Sequence, residues 1–137
     1  MSDISIGEFQ KLDIRIGTVV KAEVPEWSHW VMKLTVDIGP LENDPSTHPA
    51  RFGRQKNTIV VFSGIMKFYK PQDLEGKQFP FIINLEPKKI GPEGDISEGM
   101  MLMVVEKDDP PGGEASETTP PVLLIPKENV PDGTKIM

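Results

Sequence analysis

Apolar side chains recur at every second position of this sequence, in short runs set off by glycine, proline and aspartate. That period belongs to strands with one buried face and excludes long amphipathic helices. Ile14, Ile16, Val20 and Ala22 fall on one side of the first run and Arg15, Val19, Lys21 and Glu23 on the other, which predicts a half-buried strand beginning at Asp13. Met32, Leu34, Val36 and Ile38 alternate with Val31, Lys33, Thr35 and Asp37 in a second run, closed by Gly39-Pro40. A third, more apolar strand is expected from Asn57 to Ile65, and a fifth, densely apolar one from Met100 to Val105. Between them Phe79, Phe81, Ile83 and Leu85 share a face of the fourth, where Pro80 lacks a ladder donor and favours a strand start or an edge.

Two short helices interrupt the strands. Ser5 and Glu8 have the spacing of a capping box, with Ile4 and Phe9 placed for a hydrophobic staple. Lys70-Pro71-Gln72-Asp73-Leu74-Glu75-Gly76 has proline at the first helical position and glycine after the last, which gives one or two turns. The resulting order, three strands, a helical turn and two strands, is all-β and matches the five-stranded Greek-key barrel known as the OB-fold. At 137 residues and 37% apolar content, one domain spanning 1–137 has enough core to stand without cross-links. Residues 40–56 and 107–121 are rich in proline, glycine and polar groups and are expected to be mobile loops. Beyond them the apolar segment Val122, Leu123, Leu124 and Ile125, with Val130, brings the chain back to the barrel or to a partner.

Several functions are excluded or disfavoured by what is missing. The sequence has no cysteine, which removes disulfides and thiolate metal sites and fits a reducing compartment. It has no leader-like start and no apolar run of membrane-spanning length, so the cytoplasm is the expected location and no membrane contact is expected. No spacing is diagnostic of a nucleophile with its base, of paired carboxylates or of a metal site, and no cofactor is implied. The two histidines, His29 and His48, stand apart in loop regions. Gly91-Pro92-Glu93-Gly94 reads as a turn, since it lacks the lysine of a phosphate loop and the dinucleotide fingerprint. A binding protein is expected, not an enzyme.

Charge supplies a positive indication. The formal charge is −6, yet residues 51–89 carry eight basic and three acidic side chains against four and eight before them and three and ten after them. A +5 block inside an acidic protein is either a footprint for phosphate or a solvated surface. Trp27 and Trp30 flank Ser28-His29 and offer either stacking faces to a base or a peptide, or packing at the end of the barrel.

Several short segments resemble the tRNA-binding domain family. They are Asp13-Ile14-Arg15-Ile16-Gly17, Ser63-Gly64-Ile65, Tyr69 through Lys77, Asn84-Leu85-Glu86-Pro87-Lys88-Lys89 and Ser97-Glu98-Gly99-Met100, in the family's order. That family includes stand-alone dimers, the C-terminal domain of methionyl-tRNA synthetase, the endothelial-monocyte-activating polypeptide II domain and the CsaA proteins. Val24-Pro25-Glu26-Trp27 through Leu34 is closer to the CsaA pattern than to the synthetase one. The resemblance implies tRNA as partner and an RNA-binding set of Ser63, Asn84, Lys88, Lys89, Ser97 and Met100. In chemical terms Lys88 and Lys89 would meet phosphates, Asn84 and Ser97 base edges, and Met100 the face of a base or else the core. It also implies C-terminal extension strands beyond the barrel, from Val122-Leu123-Leu124 through Pro131-Asp132-Gly133-Thr134-Lys135, and a homodimer whose interface includes Val122, Leu123, Leu124, Ile125 and Val130. Two other partners stay open, an unfolded or secretory polypeptide, as for an export-related chaperone, and an aminoacyl-tRNA synthetase.

Overall fold

Strand β1 (Ile14–Glu23) is the longest and carries the rest, because it has a neighbour on each edge. The computed structural model describes residues 2–40, 57–105 and 120–137. One edge of β1 pairs antiparallel with β2 (Met32–Asp37), from Thr18 opposite Asp37 to Glu23 opposite Lys33. The other pairs with β4 (Gln78–Ile82), from Ile14 opposite Ile82 to Thr18 opposite Gln78. With β3 (Thr58–Ser63) outside β2 and β7 (Met100–Met101) outside β4, the sheet runs β3-β2-β1-β4-β7. It curls into a five-stranded antiparallel OB barrel, as the alternation implied. The barrel is nearly closed where β3 meets the chain before β7: the Glu98 amide donates to the Val60 carbonyl at 2.8 Å. Side chains complete the seam, with the Val60 amide donating to Glu98 Oε1 at 2.9 Å and the Phe62 amide to Ser97 Oγ at 3.1 Å.

The core is the inner face of that curl. Val19, Met32, Leu34, Val36, Ile59, Val61, Ile65, Phe79, Phe81, Ile83 and Met101 form one cluster, capped by Leu74 from the helix α2 (Pro71–Leu74). Each such side chain contributes about 1.5–3 kcal/mol on full burial. The first strand departs from the simple alternation. A register shift between Val19 and Lys21 places Val19 in the core and leaves Val20 51% exposed, the reverse of the expected facing. The cause is a β-bulge, which inserts one residue and so switches the parity of everything after it. α1 (Ile6–Phe9) has the expected capping box between Ser5 and Glu8, with Ile4 65% exposed.

Two further elements have no counterpart in the expected strand list. A hairpin of β5 (Lys88–Ile90) and β6 (Asp95–Ser97) lies between the fourth and fifth barrel strands. The expected fifth strand is broken into β7 and β8 (Met103–Val104), and β8 pairs with β9 (Val122–Leu123), which falls where the resemblance implies a C-terminal extension strand. The expected loops at 40–56 and 107–121 lie outside the described residues except for Pro40, Pro120 and Pro121, as does His48.

The C-terminal segment is built into the barrel. β2 leaves the first turn of β1's edge unpaired, and residues 133–136 fill it. Gly133 donates to the Ile16 carbonyl at 2.7 Å, Ile16 to Thr134 at 2.9 Å and Ile136 to Ile14 at 2.8 Å. Asp132 accepts from Thr18 Oγ1 at 2.6 Å, and Arg15, buried and paired with Asp13 at 2.7 Å, donates from Nη1 to the Gly133 carbonyl at 3.0 Å. Gly133, at φ 89°, comes so close that a Cβ there would lie 2.4 Å from the Ile38 carbonyl oxygen.

Candidate functional site

In OB barrels the outer face of strands 2 and 3 and the loops beside it form the usual ligand surface. Here that surface gathers three sequence-distant pieces. β3 presents Val60 and Phe62 outward, because Ile59 and Val61 occupy the inward parity. The loop between β1 and β2 supplies the tryptophans. The hairpin β5–β6 closes the other side.

The tryptophan loop is folded by Ser28. Its amide donates to the Pro25 carbonyl at 3.0 Å, and its Oγ accepts from the Trp30 and Val31 amides at 3.2 and 2.8 Å. This turn sets Trp27 and Trp30 edge to face, with ring centroids 6.5 Å apart, and brings Trp27 to 6.2 Å from Phe62. Trp27 also lies against the hairpin turn: a Cβ on Gly91 would be 2.5 Å from Trp27 Cζ2. Trp27 is therefore a half-buried strut between loop, β3 and hairpin. Trp30 is also half-buried, its carbonyl accepting from the Met66 amide at 3.2 Å.

Beside this strut lies an open concavity of about 390 Å³ lined by Lys33, Val60, Phe62, Pro87, Asp95, Ile96 and Glu98. Its walls are apolar and its rim carries both signs. Glu98 holds the Val60 amide through Oε1, while Lys33 Nζ stands 3.7 Å from Glu23 Oε1, a loose pair across an exposed rim. None of these seven residues is a site candidate in the sequence: Lys33 stands only as an alternating position of the second strand, and Pro87 and Glu98 only within segments that carry the resemblance. The signal available was Phe62, a large aromatic at an outward position of β3.

The expected contact residues fall in different places. Lys88 and Lys89 are both exposed on β5, but neighbours in a strand point to opposite faces. Lys89 pairs with Ile96 and so shares the face of a residue that lines the concavity, whereas Lys88 pairs with Ser97 and takes the other face. Ser97 is 8% exposed, its Oγ accepting from Phe62 and donating to the Gly99 carbonyl at 3.1 Å. Asn84 accepts from the Asp13 amide at 2.8 Å and donates to the Lys11 carbonyl at 2.7 Å, joining α1's exit to β4. Both polar groups hold the chain to itself. Ser63 is 5% exposed on the inward parity of β3, with no partner for its Oγ among the described residues. Met100 is 46% exposed at the edge strand and does not line the concavity. Of the basic block, Arg51, Arg54 and Lys56 lie outside the described residues, and Lys70 and Lys77 flank α2.

Outside the concavity's lining, Val122, Leu124 and Ile125 are 57%, 39% and 68% exposed, Leu123 packs on the core, and the Val130 backbone exchanges two hydrogen bonds with the Gln78 side chain. No group of metal-binding side chains occurs among the described residues, and no helix there is long and apolar enough to cross a membrane.

No family model matches the chain. A methionine–tRNA ligase of Archaeoglobus fulgidus is 39% identical over 134 residues, 98% of this chain and 16% of that protein. A methionine–tRNA ligase of Janthinobacterium is 40% identical over 100 residues, 73% of this chain and 12% of its own length. The chain thus spans 12–16% of these curated relatives. Among solved structures, a MetRS-related protein of Pyrococcus horikoshii superposes over all of both chains with TM-score 0.74 and 29% identity. The chaperone CsaA of Bacillus anthracis covers 99% of this chain and 100% of its own, with TM-score 0.71 and 29% identity.

Proposed function

Since the chain belongs to the tRNA-binding domain family, we propose that it is a cytoplasmic tRNA-binding accessory protein that holds tRNA by shape and backbone and catalyses nothing itself. The observation that carries this reading is the convergence, on the outer face of β3, of the tryptophan loop and a hairpin that puts Lys89 on the same face as Ile96 of the concavity. OB barrels use this face for single strands and loops, with cations on the backbone and aromatic groups near the bases. The relatives named for methionine–tRNA ligase support tRNA as the nucleic acid. Such a protein would serve aminoacylation by delivering tRNA, and an aminoacyl-tRNA synthetase is a fitting partner.

The exposed strip Val122, Leu124 and Ile125 is suited to a second copy, since isologous burial removes apolar surface from water on both chains at once. A homodimer would present two binding faces to one tRNA.

Filter binding of tRNA, generic single-stranded RNA and an unfolded polypeptide at one stated salt concentration tests the proposal. Preference for tRNA supports it. Retention of polypeptide without RNA would assign the protein to the chaperone activity after which the Bacillus anthracis structure is named.

A further inference from the structure

We propose that the concavity between β3 and the β5–β6 hairpin is a subsite for one unpaired guanine. The inference rests on the RNA-binding reading of this face and names what the face reads.

The lining has the parts such a base requires. Phe62, Val60, Pro87 and Ile96 give apolar walls for a flat ring, in a volume of about 390 Å³ that has room for a base and part of its ribose. Two carboxylates, Asp95 and Glu98, stand among these walls, and neither forms an ion pair among the described residues. Glu98 is oriented: Oε1 accepts from the Val60 amide at 2.9 Å, which holds the carboxylate against β3 and leaves Oε2 and the second lone pair of Oε1 to accept. On the Watson–Crick edge of guanine N1–H and N2–H₂ are adjacent donors, and O6 beside them is an acceptor. A carboxylate accepts from the first two and an ammonium donates to the third. Lys33 lines the same concavity and supplies that ammonium.

Adenine and uracil fit the set less well. Adenine presents one donor next to an unprotonated ring nitrogen, which faces the carboxylate with a lone pair. Uracil presents one donor between two acceptors. Single-stranded bases splayed from a loop expose this edge, whereas paired ones do not. Lys89 shares the strand face of Ile96 and is placed for the phosphate of the same nucleotide. That juxtaposition of a carboxylate-walled base pocket and a phosphate cation favours a nucleotide over a basic peptide side chain, which would gain nothing from Lys89.

The test uses the full chain and RNA pentamers that differ at one position, UUGUU, UUAUU, UUCUU and UUUUU, so that the phosphate contribution is the same for all. Binding is followed by quenching of tryptophan fluorescence, since Trp27 stands 6.2 Å from Phe62. The guanine pentamer is expected to bind about tenfold more tightly than the adenine one, as befits a bidentate base contact. Glu98→Gln keeps an acceptor for the Val60 amide but places a donor where N1–H points, and it should abolish the preference while leaving the thermal midpoint and the UUUUU affinity near wild type. Asp95→Asn, on the hairpin and away from the β3 seam, should reduce the preference in part. Equal binding of the guanine and adenine pentamers, or a preference untouched by both substitutions, would overturn the subsite. So would a blocked arginine amide that competes with the guanine pentamer and loses its own binding in Glu98→Gln, which would make the concavity a peptide site. Failure of wild-type protein to bind whole tRNA would overturn the broader reading separately, since tRNA contact over β3 and the hairpin does not require a guanine in the pocket.

Discussion

Gly133→Ala tests whether the C-terminal segment is part of the barrel. The position costs an alanine twice. Its φ of 89° lies in the left-handed region, a penalty of about 1–2 kcal/mol for a residue with a Cβ. The new Cβ would also sit 2.4 Å from the Ile38 carbonyl oxygen, a backbone atom that cannot rotate away, and overpacking of this kind costs about 1–3 kcal/mol. Gly94→Ala is the matched control, because φ there is 72° but nothing lies within 4 Å of the added carbon. It meets the first cost alone. At this chain length 1 kcal/mol corresponds to about 3–5 °C in the thermal midpoint, so Gly94→Ala should lower it by about 3–10 °C and Gly133→Ala by about 6–25 °C. Urea melts should show the same ranking with the slope unchanged. Midpoints for the two variants within about 3 °C of each other would refute the close approach of the tail to Ile38.

Further outcomes follow from the site. Trp27→Ala should release the hairpin and weaken tRNA binding about tenfold or more, while Trp27→Phe retains most of it; filter binding of the two variants measures this. Ser97→Ala strands the buried Phe62 amide and should cost about 1–3 kcal/mol in urea denaturation with discrimination between tRNA and generic RNA unchanged. Ile125→Asp should convert a dimer to a monomer in sedimentation velocity without lowering the thermal midpoint, since that side chain is 68% exposed in the single chain.

The barrel was legible in the sequence because its strands each bury one face, and an alternating pattern is the direct consequence. The four main strands start within a residue or two of where the alternation places them. What the pattern hid has physical causes. A bulge after Val19 changes parity without changing composition, so Val20 reads as inward until the register is seen. β5 and β6 have three residues each and an exposed lysine pair, too short and too polar to show a period. The tail pairs through backbone groups of Gly133, Thr134 and Ile136, and backbone bonds leave little trace in side-chain identity. For the site, residue type was a weaker guide. Asn84 and Ser97 have the chemistry of base readers, but both spend it on the chain's own backbone, and for Ser97 the partner is the buried Phe62 amide, whose loss of a partner would cost more than an RNA contact returns. The concavity residues come from β2, β3 and the hairpin, and only folding brings them together.

Whether this chain holds tRNA by its backbone is decided by the affinity of wild type, Lys89→Ala and Lys88→Ala for tRNA between about 50 and 200 mM salt, a range over which backbone contacts weaken steeply. An acidic protein of net charge −6 is no obstacle, because charges farther than about 8–10 Å are largely screened at physiological salt. Binding is expected with a negative log–log slope that Lys89→Ala flattens by roughly 0.7–0.9, the value of one phosphate contact, and that Lys88→Ala, on the opposite face of β5, changes by less than half as much. Absence of wild-type binding at about 50 mM salt, where electrostatic contacts are strongest, would contradict it.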